Sequence, residues 1–311
     1  MAIRLSSLIS ALPGCLAQGI VWGIMALGLF ITYRVLEFSD LTVDGSFATG
    51  GAVTVMMILG GKPVWLAVAA AMLAGILCGL VTGLLHTKLG IAPILAGILT
   101  QIGLYSINLH ILGNKANQAV SVDKYRLLLS LRHPGTAILV SGLFAAALIG
   151  FFYWFFGTEM GSAIRATGCN PNMSKAQGID INRTIVVALA ISNGVVALSG
   201  GLMAQYQGFA DVSMGRGAIV IGLAAIIIGE VISRAFTRES MNFALRLLFV
   251  IVGGIAYYLI MGVALWLRLP TNDLKLFTAL IVAAALAIPN LRSRSFGPGK
   301  KNGGKGAADH G

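Results

Sequence analysis

Apolar runs of about 20 residues, the length that crosses a bilayer as a helix, recur along almost the whole of this chain. Little else is open to such a sequence, because lipid offers no partner to a free backbone N–H or C=O and each run must satisfy its own. Of 311 residues, 57% are hydrophobic and 11% charged, with mean hydropathy +0.87, a balance that no soluble domain of this size could keep in solution. The chain is therefore read as an all-α polytopic membrane protein. The spans drawn from the sequence are Leu8–Thr32, Gly45–Leu59, Val64–Leu85, Pro93–Leu112, Gly135–Phe156, Thr184–Gln205, Gly217–Ile232, Phe243–Leu265 and Leu274–Ile288, about nine in all. The second and seventh are short, which suits broken or re-entrant helices beside a cavity.

Those two short spans follow a repeat. The stretch from Ile20 to Val43 and the stretch from Ile191 to Met214 lie 171 residues apart. Without a gap, Ile20, Gly23, Ala26, Leu27, Phe38 and Asp40 match Ile191, Gly194, Ala197, Leu198, Phe209 and Asp211. Each copy ends in an acidic, hydroxyl-bearing break, Phe38–Gly45 or Phe209–Gly217, before the chain turns apolar again. Helix parity sends the two copies across the membrane in opposite directions, so residues 8–112 and 184–288 form an inverted repeat. Paired interruptions of this kind point to a transport pathway.

Sidedness comes from the basic residues. The connection 157–183, the segment 233–242 and the tail from Pro289 fall on one side by parity and carry Arg165, Lys175, Arg183, Arg234, Arg238, Arg292, Arg294, Lys300, Lys301 and Lys305. That side is cytoplasmic, which puts the N-terminus outside. The opposite loop, 113–134, carries Lys115, Lys124, Arg126 and Arg132. A net charge of +11 distributed over connections and tail is a topology signal and not a nucleic-acid face. The organisation is then one membrane domain, 1–289, followed by a basic disordered tail, 290–311, suited to anionic lipid.

Within the cytoplasmic connection, Thr158 can cap a short helix that has Glu159 in its first turn and Gly168 as its stop. Asn170-Pro171 then opens a second helix that stops at Gly178, so the segment is a rigid knob. Along the fourth span, Gln101, Tyr105 and Asn108 make one polar stripe, either lining an aqueous path or bonding a neighbouring helix. Ala71, Gly75, Gly79 and Gly83 give the third span a small-residue ridge for close packing, in the same chain or in a second copy. Glu230 and Arg234 are spaced for an i, i+4 ion pair, and Phe151–Phe156 reads as an aromatic belt at the cytoplasmic boundary.

The run from Thr158 to Pro171, followed by Met173, Ala176, Gly178 and Ile179, resembles a signature of the branched-chain amino acid and ribose type permeases of bacterial ABC importers. So does Asp40-Leu41-Thr42-Val43-Asp44-Gly45, which is similar to the D-L-S-V-G element after the first span of sugar-type members. The resemblance implies an inner-membrane homodimer that carries a small solute and works with a cytoplasmic ABC ATPase and an external solute-binding protein. Arg165, Ala166, Gly168, Asn170, Pro171, Met173, Ala176, Gly178 and Ile179 then couple to the ATPase. The form Asp40–Phe47 takes here is similar to a subgroup importing aromatic amino acids such as tryptophan or tyrosine. It departs from the sugar type at Asp44, and the N-F-A-H-G of the branched-chain type is absent.

The pathway residues proposed on the breaks and the stripe are Phe38, Asp40, Thr42, Asp44, Gln101, Asn108, Phe209, Asp211 and Ser213. Asp40 and Asp211 are expected to serve structure, and Thr42, Asp44 and Ser213 to serve the solute or gate. No catalytic or metal constellation is spelled out: Cys15, Cys78 and Cys169 are isolated, and the four histidines have no metal spacing. No cofactor is expected. Leu12-Pro13-Gly14-Cys15 looks like a lipoprotein cleavage site, but the apolar run continues through it to Ile31 and reads as an uncleaved span. Gly299–Lys305 has phosphate-loop spacing, yet Gly306 stands where Ser or Thr must hold magnesium. The competing functions are a self-sufficient secondary transporter and an ABC permease for a sugar or nucleoside.

Overall fold

A computed structural model of the protein describes residues 2–122, 124–236, 242–267 and 276–283. The expected tail, the phosphate-loop look-alike within it, and all of the ninth expected span but 276–283 lie outside the described residues. The helices are α1 (Ala2–Phe30), prolonged by a π-helical turn at Ile31–Val35, then α2 (Val43–Leu59), α3 (Val64–Thr87), α4 (Pro93–Ile111) and α5 (Pro134–Phe155). After the short helices α6 (Glu159–Cys169) and α7 (Pro171–Ala176) come α8 (Ile181–Gln207), α9 (Ala218–Phe236) and α10 (Phe243–Trp266), with a further helical stretch at 276–283. Seven helices among the described residues are long and apolar enough to cross a membrane: those containing Ala11–Val35, Thr42–Leu59, Val64–Thr87, Pro93–Ile111, Pro134–Phe155, Ile181–Gln207 and Phe243–Trp266. The chain is a polytopic helical membrane protein, and α1 runs unbroken through Pro13.

The core forms where small residues let backbones meet. A Cβ on Gly75 would collide with the carbonyl of Asn193, and one on Gly79 with that of Leu189, so the ridge of α3 is seated on α8 of the same chain. A Cβ on Gly19 would come within 2.7 Å of the Ile255 Cα, and α10 lies along α1 in the same manner. Helices α1 and α8 are buried at the centre, whereas α3, α4 and α5 turn Leu73, Leu77, Ile102, Leu139 and Leu143 outward.

Both breaks lead the chain back into the interior. The first leaves the π-turn, passes Glu37 at φ 54, and starts α2 beside Asn193, halfway along the 27-residue α8. The second starts where Gly208, at φ 79, ends α8 in the left-handed conformation that glycine adopts without strain. Residues Phe209–Asp211 then form β2, paired antiparallel with β1 (Asn117–Ala119) of the loop after α4. The two breaks open at opposite ends of the bundle. At one end Gly168 of α6 packs against the Val35 carbonyl, and at the other the Tyr206 hydroxyl donates to Gly14 O at 3.1 Å, next to the ribbon.

Several sequence expectations change here. The β1–β2 ribbon interrupts an otherwise all-α reading, and three-residue strands are too short to betray themselves by alternation. Gly168 lies inside α6 and serves close approach to Val35, while α6 ends at Cys169. Glu230 pairs with Arg34, whose Nε lies 2.8 Å from its carboxylate, and not with Arg234. Phe152 and Phe156 are core residues, the latter stacked obliquely on Phe243 at 5.0 Å, so only part of the aromatic run faces outward.

Candidate functional site

Where the first break meets α8, polar groups that lipid would exclude satisfy one another. Asp40, 4% exposed, accepts the Thr42 N–H at 2.9 Å on one carboxylate oxygen and the Asn193 side-chain amide at 2.7 Å on the other. The Ser46 hydroxyl donates to Asn193 Oδ1 at 2.6 Å. Thr42 reaches the Thr82 hydroxyl at 2.7 Å, and Thr82 donates to Thr100 at 2.9 Å, which ties α2, α3 and α4 together. At the second break, Asp211 Oδ1 accepts both the Ser213 N–H at 2.7 Å and its hydroxyl at 2.6 Å. The repeat positions Asp40 and Asp211 thus close the same local turn, an aspartate bonding the backbone two residues on. Neither caps a helix directly.

The cap is elsewhere. Asp44, in the first turn of α2, accepts the N–H of Gly217 and the N–H of Ile219, each at 3.0 Å, and so satisfies the free amides that open α9. The two short helices therefore begin head to head inside the bundle, with Gly215 pressed against the Asp44 carbonyl. Asp44, expected to serve the solute or gate, also holds the second break with its carboxylate.

Beside this junction is a cavity of about 410 Å³, lined by Asp44 and Gly45 of α2, by Gln101, Tyr105 and Asn108 of α4, and by Val212, Ser213, Gly215 and Arg216. Four residues from the expected pathway set face it: Asp44, Gln101, Asn108 and Ser213. The other five do not line it. Asp40 and Thr42 are buried in the network above, Phe38 sits edge-on to His86 at 5.3 Å, and Phe209 and Asp211 are in the ribbon. The Asn108 side-chain carbonyl has no hydrogen-bond partner although the residue is 1% exposed. A buried polar group left so costs about 1–3 kcal/mol unless something enters the cavity to bond it. The network's Asn193, Ser46, Thr82 and Thr100, and the cavity's Arg216, escaped the sequence reading. Asn193 carried the plainest signal, a lone amide in mid-span.

At the other end, the knob has the expected caps. Thr158 Oγ1 accepts the Gly161 N–H at 3.4 Å, and Asn170 Oδ1 accepts the Met173 N–H at 3.0 Å. Asn170 is at once the end of α6 and the cap of α7, which fixes the corner between them. Gly178, at φ 82, stops α7. Asn170, Pro171, Met173, Ala176 and Gly178 are exposed, Ala166 and Ile179 are half-buried, and Gly168 is buried. Arg165 turns back to donate to the Phe156 carbonyl at 2.8 Å and clamps α6 onto the end of α5.

Residues 12–286 match the family described as "Branched-chain amino acid transport system / permease component". The chain is 37% identical, over 91% of its length and 92% of the relative's, to the "Tyrosine transport system permease protein" of Clostridioides difficile (strain R20291). It is 32% identical to "Uncharacterized protein RP368" of Rickettsia prowazekii (strain Madrid E), over 59% of this chain and 64% of that one. A solved structure titled "PsaBC from Streptococcus pneumoniae in complex with Fab" superposes with a TM-score of 0.40 at 14% identity, covering 83% of this chain and 95% of that chain. With the family pattern running through nearly every helix just described, the chain belongs to the branched-chain amino acid type of transport-system permease components and is a multi-pass membrane permease of an ABC importer.

Proposed function

We propose that two copies of this chain form the translocation pathway of an ATP-driven importer for an amino acid, aromatic or related. A separate ATPase docks on α6 and α7, and an external binding protein docks on the loop 113–134. The observation that carries the substrate class is the 37% identity to a protein named for tyrosine transport. The exposed, doubly capped knob supports ATPase docking, since a secondary transporter has no use for a rigid projection of this kind. The loop suits a docking surface because it is held rather than loose: Val120 N donates to Gly208 O at 2.8 Å and Leu128 N to Gln205 at 3.1 Å, while Lys115, Lys124 and Arg126 stay exposed. Charges so placed speed association more than they tighten it.

Within the same reading, 8–112 and 184–288 are inverted halves of a nine-span bundle, the seven crossing helices being joined by α9 and by a last span that includes 276–283. The matching turns at Asp40 and Asp211 support this. So do the matching contacts of Gly23 with Ile251 and of Gly194 with Ile76. Solute would pass the head-to-head junction of α2 and α9, where Asp44, Gln101, Asn108 and Ser213 border the cavity. The substrate class is tested by competition: uptake of labelled L-tyrosine by the complete importer falls with excess L-tryptophan or L-phenylalanine and is untouched by ribose or adenosine. Competition by the sugar or nucleoside, and none by the amino acids, would replace this reading.

A further inference from the structure

The cavity between α2 and α9 holds two opposite charges that do not meet. Asp44 and Arg216 both line it, and the backbone amide that Asp44 accepts belongs to Gly217, the residue after Arg216. Even so, among the described residues the Arg216 guanidinium forms neither an ion pair with Asp44 nor a side-chain hydrogen bond. The Asp44 carboxylate accepts the backbone N–H groups of Gly217 and Ile219 and is also bonded by that of Ala218, which leaves one of its roughly four acceptor sites for a further donor. The Asn108 side chain, 1% exposed with an unbonded carbonyl oxygen, lines the same space, and Gln101 stands on the same face of α4. At about 410 Å³ the cavity falls in the range of roughly 300–1,000 Å³ typical of small-molecule sites.

We infer that this cavity is a binding site for a zwitterionic α-amino acid, with the ammonium on Asp44, the carboxylate on Arg216, and Asn108 bonding the solute's polar groups. The charges of such a solute complement the site as a pair. A guanidinium takes a carboxylate in the two-pronged geometry it favours. An ammonium can use the acceptor site Asp44 retains without displacing the amides of α9, so the residue that joins the two short helices also senses whether the site is filled. A sugar would leave both charges unanswered, and a cationic or anionic analogue would leave one. The assignment rests on the amino-acid reading above and adds to it the residues that read the head group.

The test uses the full-length permease co-purified with its ATPase in lipid nanodiscs, without binding protein, and measures binding of tritiated L-tyrosine. Unlabelled L-tyrosine should displace it at least about tenfold more effectively than tyramine, which lacks the carboxylate, or N-acetyl-L-tyrosine, which lacks the ammonium. In Arg216→Gln the preference over tyramine should vanish, and in Asp44→Asn the preference over N-acetyl-L-tyrosine. Arg216 is exposed, so its variant stays informative even where the Asp44 variant folds poorly. Wild-type binding that ignores the head group, no binding of tyrosine, or an unchanged preference in Arg216→Gln would each overturn the assignment. Failure of the amino-acid reading is distinct: the complete importer would then take up no amino acid at all.

Discussion

Asp44 in the first turn of α2 receives the backbone N–H of Gly217, 173 residues further along the chain, at 3.0 Å. This bond and its neighbour to Ile219 make the second short helix depend on a side chain of the first. Asp44→Ala should therefore destabilise the folded permease by about 1–2 kcal/mol, the size of a lost helix cap. Asp44→Asn keeps one acceptor oxygen but sets an NH2 against the other amide, so its cost should be intermediate. Thermal unfolding of the purified variants measures both, and equal stability of wild type and Asp44→Ala would remove the cap from the account.

The network around Asn193 predicts a larger loss. Truncation by Asn193→Ala leaves one oxygen of the buried Asp40 carboxylate without its donor and strips Ser46 of its acceptor. Removing the partner of a buried polar group costs about 1–3 kcal/mol, and more where that group is a carboxylate. Asn193→Ala should accordingly yield little monodisperse protein, while Asp40→Asn, which removes the charge, is recovered better. The comparison is made by size-exclusion profile after identical expression, and the opposite ranking would contradict the network.

Glycine substitutions should change sign with position. Alanine at Gly75 or Gly79 runs into the backbone of α8, whereas a Cβ at Gly103 or Gly150 meets nothing within 4 Å. Elsewhere in a helix, glycine to alanine gains up to about 1 kcal/mol. Gly75→Ala and Gly79→Ala should lower the melting temperature, and Gly103→Ala and Gly150→Ala should hold or raise it. A uniform response at all four sites would count against the α3–α8 seat.

On the knob, Met173 is 62% exposed and Gly178 holds φ 82, a backbone that valine resists. Met173→Asp and Gly178→Val should leave the membrane bundle folded and abolish ATP hydrolysis stimulated by loaded binding protein. Coupled hydrolysis at the wild-type rate in both would detach α7 from the ATPase.

Much of this arrangement is legible in the sequence, for identifiable reasons. Caps at Thr158, Asn170 and Gly178 work within three residues of their targets, so spacing alone reveals them. The turns at Asp40 and Asp211 are equally local, and the repeat brings them to notice. What the sequence conceals is long-range. Nothing near Asp44 says that its partner is the start of α9, and the i, i+4 spacing of Glu230 with Arg234 hides the true partner, Arg34, on another helix. The ridge Ala71, Gly75, Gly79 and Gly83 announces close packing but not against what, because small residues advertise an absence of bulk and carry no address.

The claim on which the rest depends is that this permease moves its solute only through an attached ATPase. Proteoliposomes containing the permease, its ATPase and its binding protein decide it when uptake of labelled L-tyrosine is followed with and without ATP at the ATPase side, in the presence and absence of an imposed proton or sodium gradient. The account predicts accumulation that requires ATP, ignores the gradient, and disappears in Met173→Asp. Accumulation driven by the gradient without ATP would contradict it.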